Sequence, residues 1–568
     1  MSQLSKIRAA AVQYAIGADL DVNLQTCLRA LQQVAECQPN LVVMPEFSNH
    51  LSWYENQEHC FNVSLDLDSP WLQEIAAMAK KINSYVVTNV TLRRDGGKCS
   101  GTSILYSPKG EMLGTNDKQV YIGHENDFLI PASKPGPIVE TAVGRLGMYA
   151  CMDGVINETP RCLGLRGAQI LCNSLNSFAP DEGNLHIPVR APENRVFIVA
   201  ANKVGPLIPE FLMDPVAEAT NIPKKFLYGS GESQIVAPDG TVLAIAGRDE
   251  QYVFADIDPS QADNKQFADG TDMFKSRRPA LYKSLGENPE QQAIPVFEGK
   301  EIAKVAMVEP NGVGENAIAD AVVRVKQAVE QGAELVVLPE LFFLADSANP
   351  DIAAAQKLSA KAIDSFKSAA GNACVVTSIV ADKGGKPAQA VVAITSQGVQ
   401  ATQYALHSCA RLSWSALGDE VVTLQLPMGK IGFVTAADSI YPEMFRLLSM
   451  QSVEVVAIPF KAQEIWELKT GLVERAAENR MNLVVAMRSS SFGTSFANKL
   501  HKDFTVMTPW SERQFDGNLT YPVIARAEEG VGVTVVEITP RNAENKVVSH
   551  GTNVVRSRPW WLLDAITQ

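Results

Sequence analysis

The sequence repeats itself once across most of its length, and this repeat constrains the fold more than any single motif. The segment LVVMPEF, which contains Glu46, returns as LVVLPEL around Glu340, and 340 minus 46 is an offset of 294 residues. The segment GRLGMYAC, which ends at Cys151, returns as GKIGFVTA, which ends at Ala436, and 436 minus 151 is an offset of 285. Because the order is kept and the period is long, the repeat indicates two copies of a whole domain rather than a solenoid.

The chain length agrees with this interpretation. A chain of 568 residues is long enough for two domains that each bury a core of their own. The boundary is expected in the polar stretch 284–299, which contains Pro289 and Pro295. We therefore predict a first domain at residues 1–285 and a second domain at residues 300–568.

Apolar runs alternate with amphipathic helical patterns through much of each copy. In the first copy, Leu24, Leu28 and Leu31 fall on one face of a helix that Asn23 is able to cap. The run 41–44 is short, apolar and typical of a strand that is buried on both faces. This alternation predicts an α/β fold with layered sheets and helices.

Composition argues against several classes of function. The net charge of −13 is spread along the chain, so neither a nucleic acid nor an anionic membrane is an expected partner. No run of about 18 uncharged apolar residues exists, so we predict no membrane-spanning segment. The nine cysteines form no CxxC pairs, and the seven histidines lack zinc-ligand spacing. We therefore expect reduced thiols in a cytoplasmic protein, and no metal.

Cys151 lies where an apolar strand is predicted to stop. The run 146–150 is apolar, and Thr159 and Pro160 then provide a cap and a first position for a helix. A thiol at such a corner lies near free backbone N–H groups, which favour the thiolate. By itself, however, the residue equally fits a buried cysteine that ends a core strand.

Three charged residues accompany this cysteine in the first copy. Glu46 follows four apolar residues, so its carboxylate must face a crevice or find a partner. Lys118 and Glu125 precede the short apolar run 128–131. Taken singly, each of the three is a common type of loop or surface charge.

The two copies differ at these candidate positions. Ala436 replaces Cys151, and no lysine occurs between Lys386 and Lys430, where a counterpart of Lys118 would fall. Glu340 is kept. The second copy therefore retains the pattern of the fold and lacks the nucleophile.

Together these motifs resemble the nitrilase, or carbon-nitrogen hydrolase, superfamily. The resemblance rests on VVMPEF around Glu46, on Lys118 after the GEML segment, and on YACMDG around Cys151, with RAPEN and the pair Arg278-Pro279 as supporting framework. It implies two four-layer α-β-β-α sandwich domains in tandem, the second one degenerate. It also implies a Glu46, Lys118 and Cys151 triad, with Glu125 as a second glutamate.

The residues fit the chemistry that this resemblance implies. Amide hydrolysis needs a strong nucleophile, stabilisation of the oxyanion and a proton for the leaving amine. We assign these tasks to Cys151, whose pKa Lys118 and the turn amides would lower, to Lys118 with the backbone N–H of Met152, and to Glu46 as general base and acid. Glu125 would orient Lys118 or the substrate nitrogen. No cofactor is required.

The sequence constrains less strongly which type of carbon-nitrogen bond is hydrolysed. Nitrilases of the family commonly have Trp-Glu after the cysteine, whereas this chain has Met152, Asp153 and Gly154, as in amidases. We therefore favour hydrolysis of a small amide or N-carbamoyl compound, with a nitrile as the alternative. Asp153 has an equally good structural role in bonding backbone N–H groups.

The substrate pocket is expected in two loops, near Trp53 and Tyr54 and near Asn176 and Phe178. Tyr54 and Asn176 are the predicted substrate-binding residues, although the aromatic side chains fit a core position equally well.

The second copy is predicted to pair with the first within one chain, as a catalytically silent partner that positions loops of the first copy. A homo-oligomer remains possible. Two rival interpretations stay open. One is a non-catalytic scaffold or binding protein, and the other is an acyltransferase that passes the thioester to an amine.

Overall fold

The computed structural model describes residues 5–568, which divide into two compact units. The first unit contains residues 5–265 together with two later segments, 503–520 and 547–566. We call these two the late segments. The second unit contains residues 266–502, 521–546 and 567–568. The units therefore differ from the predicted continuous domains in the assignment of residues 266–285 and of the late segments, and the first four residues of the predicted first domain lie outside the described range.

The first unit is built on two six-stranded sheets. Their order is β12-β1-β2-β3-β4-β5 in one sheet and β11-β10-β9-β8-β7-β6 in the other, and the central pairs β1–β2, β2–β3, β7–β8 and β8–β9 are parallel. The strands are β1 Ile7–Gln13, β2 Leu41–Val43, β3 Tyr85–Arg94, β4 Lys98–Tyr106, β5 Met112–Asp117, β6 Val139–Thr141, β7 Gly144–Ala150, β8 Ile170–Ser174, β9 Phe197–Ala201, β10 Gln234–Val236, β11 Val242–Ile245 and β12 Gln251–Ile257.

Helices cover the outer face of each sheet in the first unit. They are α1 Leu20–Val34, α2 Gln57–Val63, α3 Pro70–Lys81, α4 Glu125–Phe128, α5 Met152–Val155, α6 Glu158–Leu165, α7 Ile187–Asn194 and α8 Glu210–Thr220. Helices α1 and α3 pack on one sheet, and α6 and α7 pack on the other. A third cluster fills the space between the two sheets, with Val43 and Leu146 among its members. The four layers are therefore α-β-β-α, as predicted.

The second unit repeats this architecture. Its sheets have the orders β17-β16-β15-β14-β13-β24 and β18-β19-β20-β21-β22-β23, with a core between them. Its strands are β13 Ala303–Val308, β14 Leu335–Val337, β15 Cys374–Lys383, β16 Lys386–Thr395, β17 Gly398–Tyr404, β18 Thr423–Leu426, β19 Gly429–Phe433, β20 Val455–Pro459, β21 Asn482–Ala486, β22 Phe496–Lys499, β23 Val523–Arg526 and β24 Val533–Ile538. Its helices are α9 Gly314–Glu330, α10 Ile352–Ala369, α11 Pro442–Met450 and α12 Leu472–Asn479. The chain ends with the hairpin β25 Val547–Ser549 and β26 Thr552–Asn553, and with α13 Asp564–Thr567.

Two predicted helix starts are displaced in the structure. Helix α1 begins at Leu20 because the side chain of Asp19 accepts hydrogen bonds from the backbone N–H groups of the first turn, so Asn23 lies inside the helix. Its side chain instead accepts from the backbone N–H of Gly17 and donates to two backbone carbonyls. Helix α6 begins at Glu158, two residues before Pro160, and the additional short helix α5 directly follows Cys151.

Two further features concern the described residues as a whole. Over residues 5–568, no helix combines the length and the apolar character that crossing a membrane requires. Within the same range, no group of three or more His, Cys, Asp or Glu side chains is arranged to hold a metal ion.

Candidate active site

The end of strand β8 holds the backbone of both Glu46 and Cys151. The N–H of Cys151 donates to the carbonyl of Ser174 at 3.0 Å, and the N–H of Glu46 donates to the carbonyl of Leu175 at 3.1 Å. The hydroxyl of Ser174 also donates to the carbonyl of Met44 at 2.8 Å. Glu46 follows β2 in one sheet and Cys151 follows β7 in the other, so the two residues meet where the carboxyl ends of strands from both sheets lie together.

Asp153 joins the turn after Cys151 to the loop that carries Lys118. Its Oδ1 accepts hydrogen bonds from the backbone N–H groups of Gln119, at 3.0 Å, and Val120, at 2.8 Å. Its Oδ2 accepts from the N–H of Ala150 at 3.3 Å. The structural role predicted for Asp153 is therefore present, although all three of its partners lie before the cysteine in sequence and none lies in the turn that follows it.

Lys118 lies between two carboxylates. Its Nζ is 2.8 Å from Oε1 of Glu46 and 2.7 Å from Oε2 of Glu125. All three side chains are almost completely buried. The ammonium also lies 5.3 Å from the ring centre of Phe47 and 5.4 Å from that of Tyr121. Such a cation is held tightly by two ion pairs, and it also donates a hydrogen bond to Glu125.

Burial sets the charge states of this group. It raises the pKa of Glu46 to about 7, against the attraction of Lys118 and with added repulsion from Glu125. Burial alone would lower the pKa of Lys118, but Glu125 and Glu46 outweigh it, so that pKa is raised well above its ordinary value. The lysine therefore stays charged, and Glu46 takes up and releases protons near neutral pH.

The thiol of Cys151 is protonated at rest. Burial raises its pKa well above the ordinary value, Glu46 raises it further, and the opposing effect of Lys118 is too small to compensate. Lys118 does lower this pKa, as expected, but burial and Glu46 outweigh it, so the expected net lowering is wrong. The cysteine must lose its proton as it attacks, and Glu46 is the base beside it.

The backbone at Cys151 is strained. Its φ is 47° and its ψ is −108°, a combination that non-glycine residues rarely adopt and that costs about 1 to 3 kcal/mol. Positive φ angles also occur at Phe47 and Arg195, and these are matched in the second copy by Leu341 and Arg480. The counterpart of Cys151, Ala436, has no positive φ.

A small cavity of about 70 Å³ opens beside Cys151. Two predicted residues, Met152 and Asn176, line it, as does Phe178. The amide nitrogen of Asn176 donates to the hydroxyl of Ser52 at 3.0 Å. Tyr54 does not line the cavity, because it is buried in an apolar cluster with Phe47, Cys60, Cys99, Tyr121 and Leu129. The structure therefore places Tyr54 in a core position.

The late segments supply one side of this cavity. Leu519, Thr520 and Val548 line it together with residues of the first copy. The carboxylate of Asp181 fixes them, since its Oδ2 accepts from the N–H of Leu519 at 3.1 Å and from the N–H and hydroxyl of Thr520 at 2.7 Å. The Thr520 hydroxyl also lies 2.9 Å from Nε2 of His186.

The hairpin β25–β26 holds the loop that carries Glu125. The N–H of Gly123 donates to the hydroxyl of Ser549 at 2.8 Å, and the hydroxyl of Thr552 donates to the carbonyl of Tyr121 at 2.8 Å. The sequence analysis did not predict these contacts, because it assigned the late segments to the second domain. No local pattern could have found them, since the paired residues are more than 420 positions apart.

Lys203 is a second buried cation near this group, and it was also missed. The residue is fully buried, and its Nζ has no hydrogen-bond partner among the described residues. Burial lowers its pKa to about 8, against the attraction of Glu46 and, more weakly, of Glu125 and Cys151. The only available signal was a lysine two residues after the end of the apolar strand β9, and that signal is weak.

The corresponding place in the second unit is built differently. Ala405 stands where Lys118 stands in the first copy, because the N–H of the next residue, Leu406, bonds to Asp438 as Gln119 does to Asp153. Glu340 is paired instead with Arg411, at 2.7 Å, and accepts from the amide of Gln389 at 2.9 Å. The second copy therefore has the glutamate without the lysine or the thiol, as predicted.

Comparison with known proteins gives a consistent result. A family model described as carbon-nitrogen hydrolase matches residues 8–266 and again residues 304–505. A nitrilase of Pyrococcus abyssi is 26% identical over 264 residues, which cover 46% of this chain and 93% of that protein. An (R)-stereoselective amidase of a Pseudomonas species is 27% identical over 272 residues, covering 46% and 89%. An omega-amidase of Arabidopsis thaliana is 24% identical over 296 residues, covering 49% and 74%.

Solved structures are similar to this chain over about half of its length. The NitFhit protein of Caenorhabditis elegans is 22% identical with a TM-score of 0.43, covering 50% of this chain and 67% of that chain. A variant of an amidase from Nesterenkonia is 21% identical with a TM-score of 0.42, covering 50% and 99%.

Proposed function

Because the chain belongs to the carbon-nitrogen hydrolase family, we propose that its first unit hydrolyses the C–N bond of a small amide or N-carbamoyl compound through a cysteine thioester and releases ammonia. One observation carries the proposal: Lys118 bridges Glu46 and Glu125, and the charges of Glu46 and Lys118 both act on the thiol of Cys151. This combination provides a nucleophile, a base and a donor to the oxyanion in one buried group of residues.

The first half of the reaction forms the thioester. Glu46 accepts the proton of the Cys151 thiol while the sulfur attacks the carbonyl carbon, and the C=O electron pair moves to the oxygen. Lys118 and the backbone N–H of Met152 stabilise that oxyanion. When the oxyanion collapses, the C–N bond breaks, and Glu46 gives its proton to the departing nitrogen. Ammonia leaves, and the acyl group stays on sulfur.

The second half regenerates the enzyme. Glu46 removes a proton from a water molecule, whose oxygen attacks the thioester carbon. The tetrahedral intermediate again places its oxyanion at Lys118, and the C–S bond then breaks. The sulfur takes the proton back from Glu46, and the carboxylic acid leaves. A base with a pKa of about 7 suits both directions of transfer near neutral pH.

The cavity beside Cys151 supports a small substrate. Its volume of about 70 Å³ has room for a few heavy atoms, and Met152, Val155 and Leu519 give part of it an apolar lining. Asn176 is the polar residue that we assign to substrate binding. The relatives include both nitrilases and amidases, so the preference for an amide rests on Met152, Asp153 and Gly154 after the cysteine.

The test is a screen for ammonia release from small amides, N-carbamoyl compounds and nitriles, run on the full chain. Cys151→Ala should abolish release, whereas Cys374→Ala, a substitution of a buried cysteine in β15 of the second unit, should leave it intact. Hydroxylamine added during turnover should trap the acyl group as a hydroxamate, because it attacks the thioester in place of water.

Each of the other possible results of the screen would indicate a different function. Ammonia release from nitriles alone would indicate a nitrilase and not an amidase. Product formation only with an added amine would indicate an acyltransferase. No turnover, together with alkylation of Cys151 no faster than that of the other cysteines, would leave a non-catalytic binding protein.

A further inference from the structure

The second unit contains a cavity that is larger than the one beside Cys151. It has a volume of about 530 Å³, which falls within the range of about 300 to 1,000 Å³ typical of small-molecule sites. It lies beyond the carboxyl ends of β14, β20 and β21, where ligands bind in sheets with parallel strands. Its lining includes residues 339–342, 460–462 and 487–490, which directly follow those strands.

The base of this cavity cannot carry out the chemistry proposed for the first unit. Glu340 is held by Arg411 and Gln389, and Ala405 and Ala436 stand at the positions of the lysine and the nucleophile. A ligand that enters this cavity therefore meets no thiol and no ammonium paired to Glu340. It is expected to bind without being consumed.

Positive charge dominates the part of the cavity that remains available to a ligand. Lys461 is exposed and forms no ion pair or hydrogen bond with any residue in the described range. Arg488 donates only to neutral backbone carbonyls, those of Gly312 at 2.7 Å and Phe342 at 2.8 Å. Neither cation is neutralised by a carboxylate in direct contact, so both are able to bind an anion.

The two acidic residues of the lining are already engaged. Glu340 is neutralised by Arg411. Asp346 accepts hydrogen bonds from the backbone N–H groups of Ala348 and Asn349. Among the lining residues, the charge of Arg488 is left over when Asp346 is counted against Lys461. Outside the lining, Asp320 is paired with Arg324 and Glu309 accepts from Ser489, so neither carboxylate is in direct contact with Arg488, which favours an anionic ligand.

The rest of the lining is apolar and aromatic. Phe342 and Phe460 are buried in the wall, and Phe492 stands partly exposed at the cavity. Leu344 and Met487 add further apolar surface. An inorganic ion would leave this surface in contact with water, whereas an organic anion would cover it.

We propose that the second unit is a non-hydrolytic binding site for a small organic carboxylate, with Arg488 and Lys461 holding the carboxylate and the side chains of Phe492 and Leu344 covering its apolar part. The two cations and these partly exposed apolar side chains line one cavity, and each is available to a ligand. The inference does not depend on the activity of the first unit.

The experiment measures binding to the full chain in the Cys151→Ala background, where amides are not consumed. Calorimetric titration compares propionate, hexanoate and phenylacetate with their neutral amides and with inorganic phosphate. At least one carboxylate should bind about tenfold or more tightly than its amide, because a charge-assisted hydrogen bond is worth about 1.5 to 3 kcal/mol and each tenfold is about 1.4. Phosphate should bind more weakly than that carboxylate.

Variants locate the site. Arg488→Gln should weaken binding about tenfold, and Arg488→Lys should restore part of it. Lys461→Gln removes an exposed side chain without bonds of its own, so it tests the charge without risk to folding. Ala462→Trp should fill the cavity and abolish binding. Lys357→Gln, an exposed lysine of α10 outside the cavity lining, should change nothing.

Three results would overturn the proposal. They are the absence of binding by all three carboxylates, equal binding of an acid and its amide or of phosphate, and binding that survives Ala462→Trp. The last result would indicate that the carboxylate binds at another site, such as the cavity beside Cys151.

Discussion

Replacing Glu125 with glutamine should move the pH dependence of catalysis in a direction that the geometry of Lys118 fixes. In the native enzyme Glu46 must be ionised to accept the thiol proton, so kcat/KM should rise as the pH passes through about 7. Glu125 contributes to that high pKa by repulsion. Glu125→Gln removes the repulsion and keeps the size and a hydrogen-bond acceptor for Lys118. The rise should therefore move to lower pH.

The magnitude follows from two distances. One nitrogen, Nζ of Lys118, touches both carboxylates, at 2.8 and 2.7 Å, so the two oxygens are at most about 5.5 Å apart. Two unit charges at that separation repel by about 3 kcal/mol at an effective dielectric constant of about 20. At about 1.4 kcal/mol per pH unit this is about 2 units. Because each charge is shared by two oxygens, we expect a shift of about 1 to 2 units.

The assay is ammonia release from the best amide of the screen, measured as kcat/KM from pH 4.5 to 9. The control is Glu58→Gln, an exposed glutamate of α2, which should leave the profile unchanged. The rising part of the profile on its acid side is the acid limb. Because Glu46 and Cys151 interact, the pH of this limb is a property of the pair, and the experiment compares that pH between the variants without assigning it to one residue. An acid limb that stays in place or moves upward would refute the electrostatic role given to Glu125.

Three further predictions test the surroundings of the site. Lys203→Met should move the same acid limb upward, because the variant loses a cation that lowers the pKa of Glu46; a downward shift would contradict this placement. Asp153→Asn puts an amide N–H₂ where Oδ2 accepts a hydrogen bond, so kcat should fall about tenfold with KM little changed, and an unchanged kcat would count against Asp153 as a positioning residue. Residues 1–285 expressed alone should be inactive, because they lack the late segments. In the full chain, Leu519→Trp should lower the turnover rate of the largest substrates most. Full activity of both proteins would contradict the claim that the late segments form part of the site.

Much of the fold followed from sequence because its signals are local or periodic. The strand ahead of Cys151 was expected to include 146–150, and β7 runs from Gly144 to Ala150. The repeat predicted two copies of a domain, the resemblance to the nitrilase superfamily implied that each is an α-β-β-α sandwich, and the structure contains both. Helix boundaries were less secure, since a cap depends on which of several polar side chains reaches the free N–H groups. Asp19 does so at α1, and Asn23, which also has the right chemistry, does not.

The candidate site was predictable in its residue types and less so in its electrostatics. Motif order was enough to select Glu46, Lys118 and Cys151. The sequence could not reveal that burial leaves the thiol protonated, because the pKa depends on how much water reaches the sulfur and on the net effect of charges of both signs. Tyr54 was selected because aromatic residues often line pockets, but the sequence does not say which way the ring points.

The second copy helps to separate framework from chemistry. Phe47 and Arg195 keep their unusual backbone in both copies, so those conformations belong to the fold. The strain at Cys151 has no counterpart at Ala436, so it accompanies the nucleophile. Without a thiol at this position, the second copy does not need the strained backbone conformation, which costs about 1 to 3 kcal/mol of folding free energy. The late segments are under the opposite constraint, because they line the cavity of the first unit and hold the loop of Glu125.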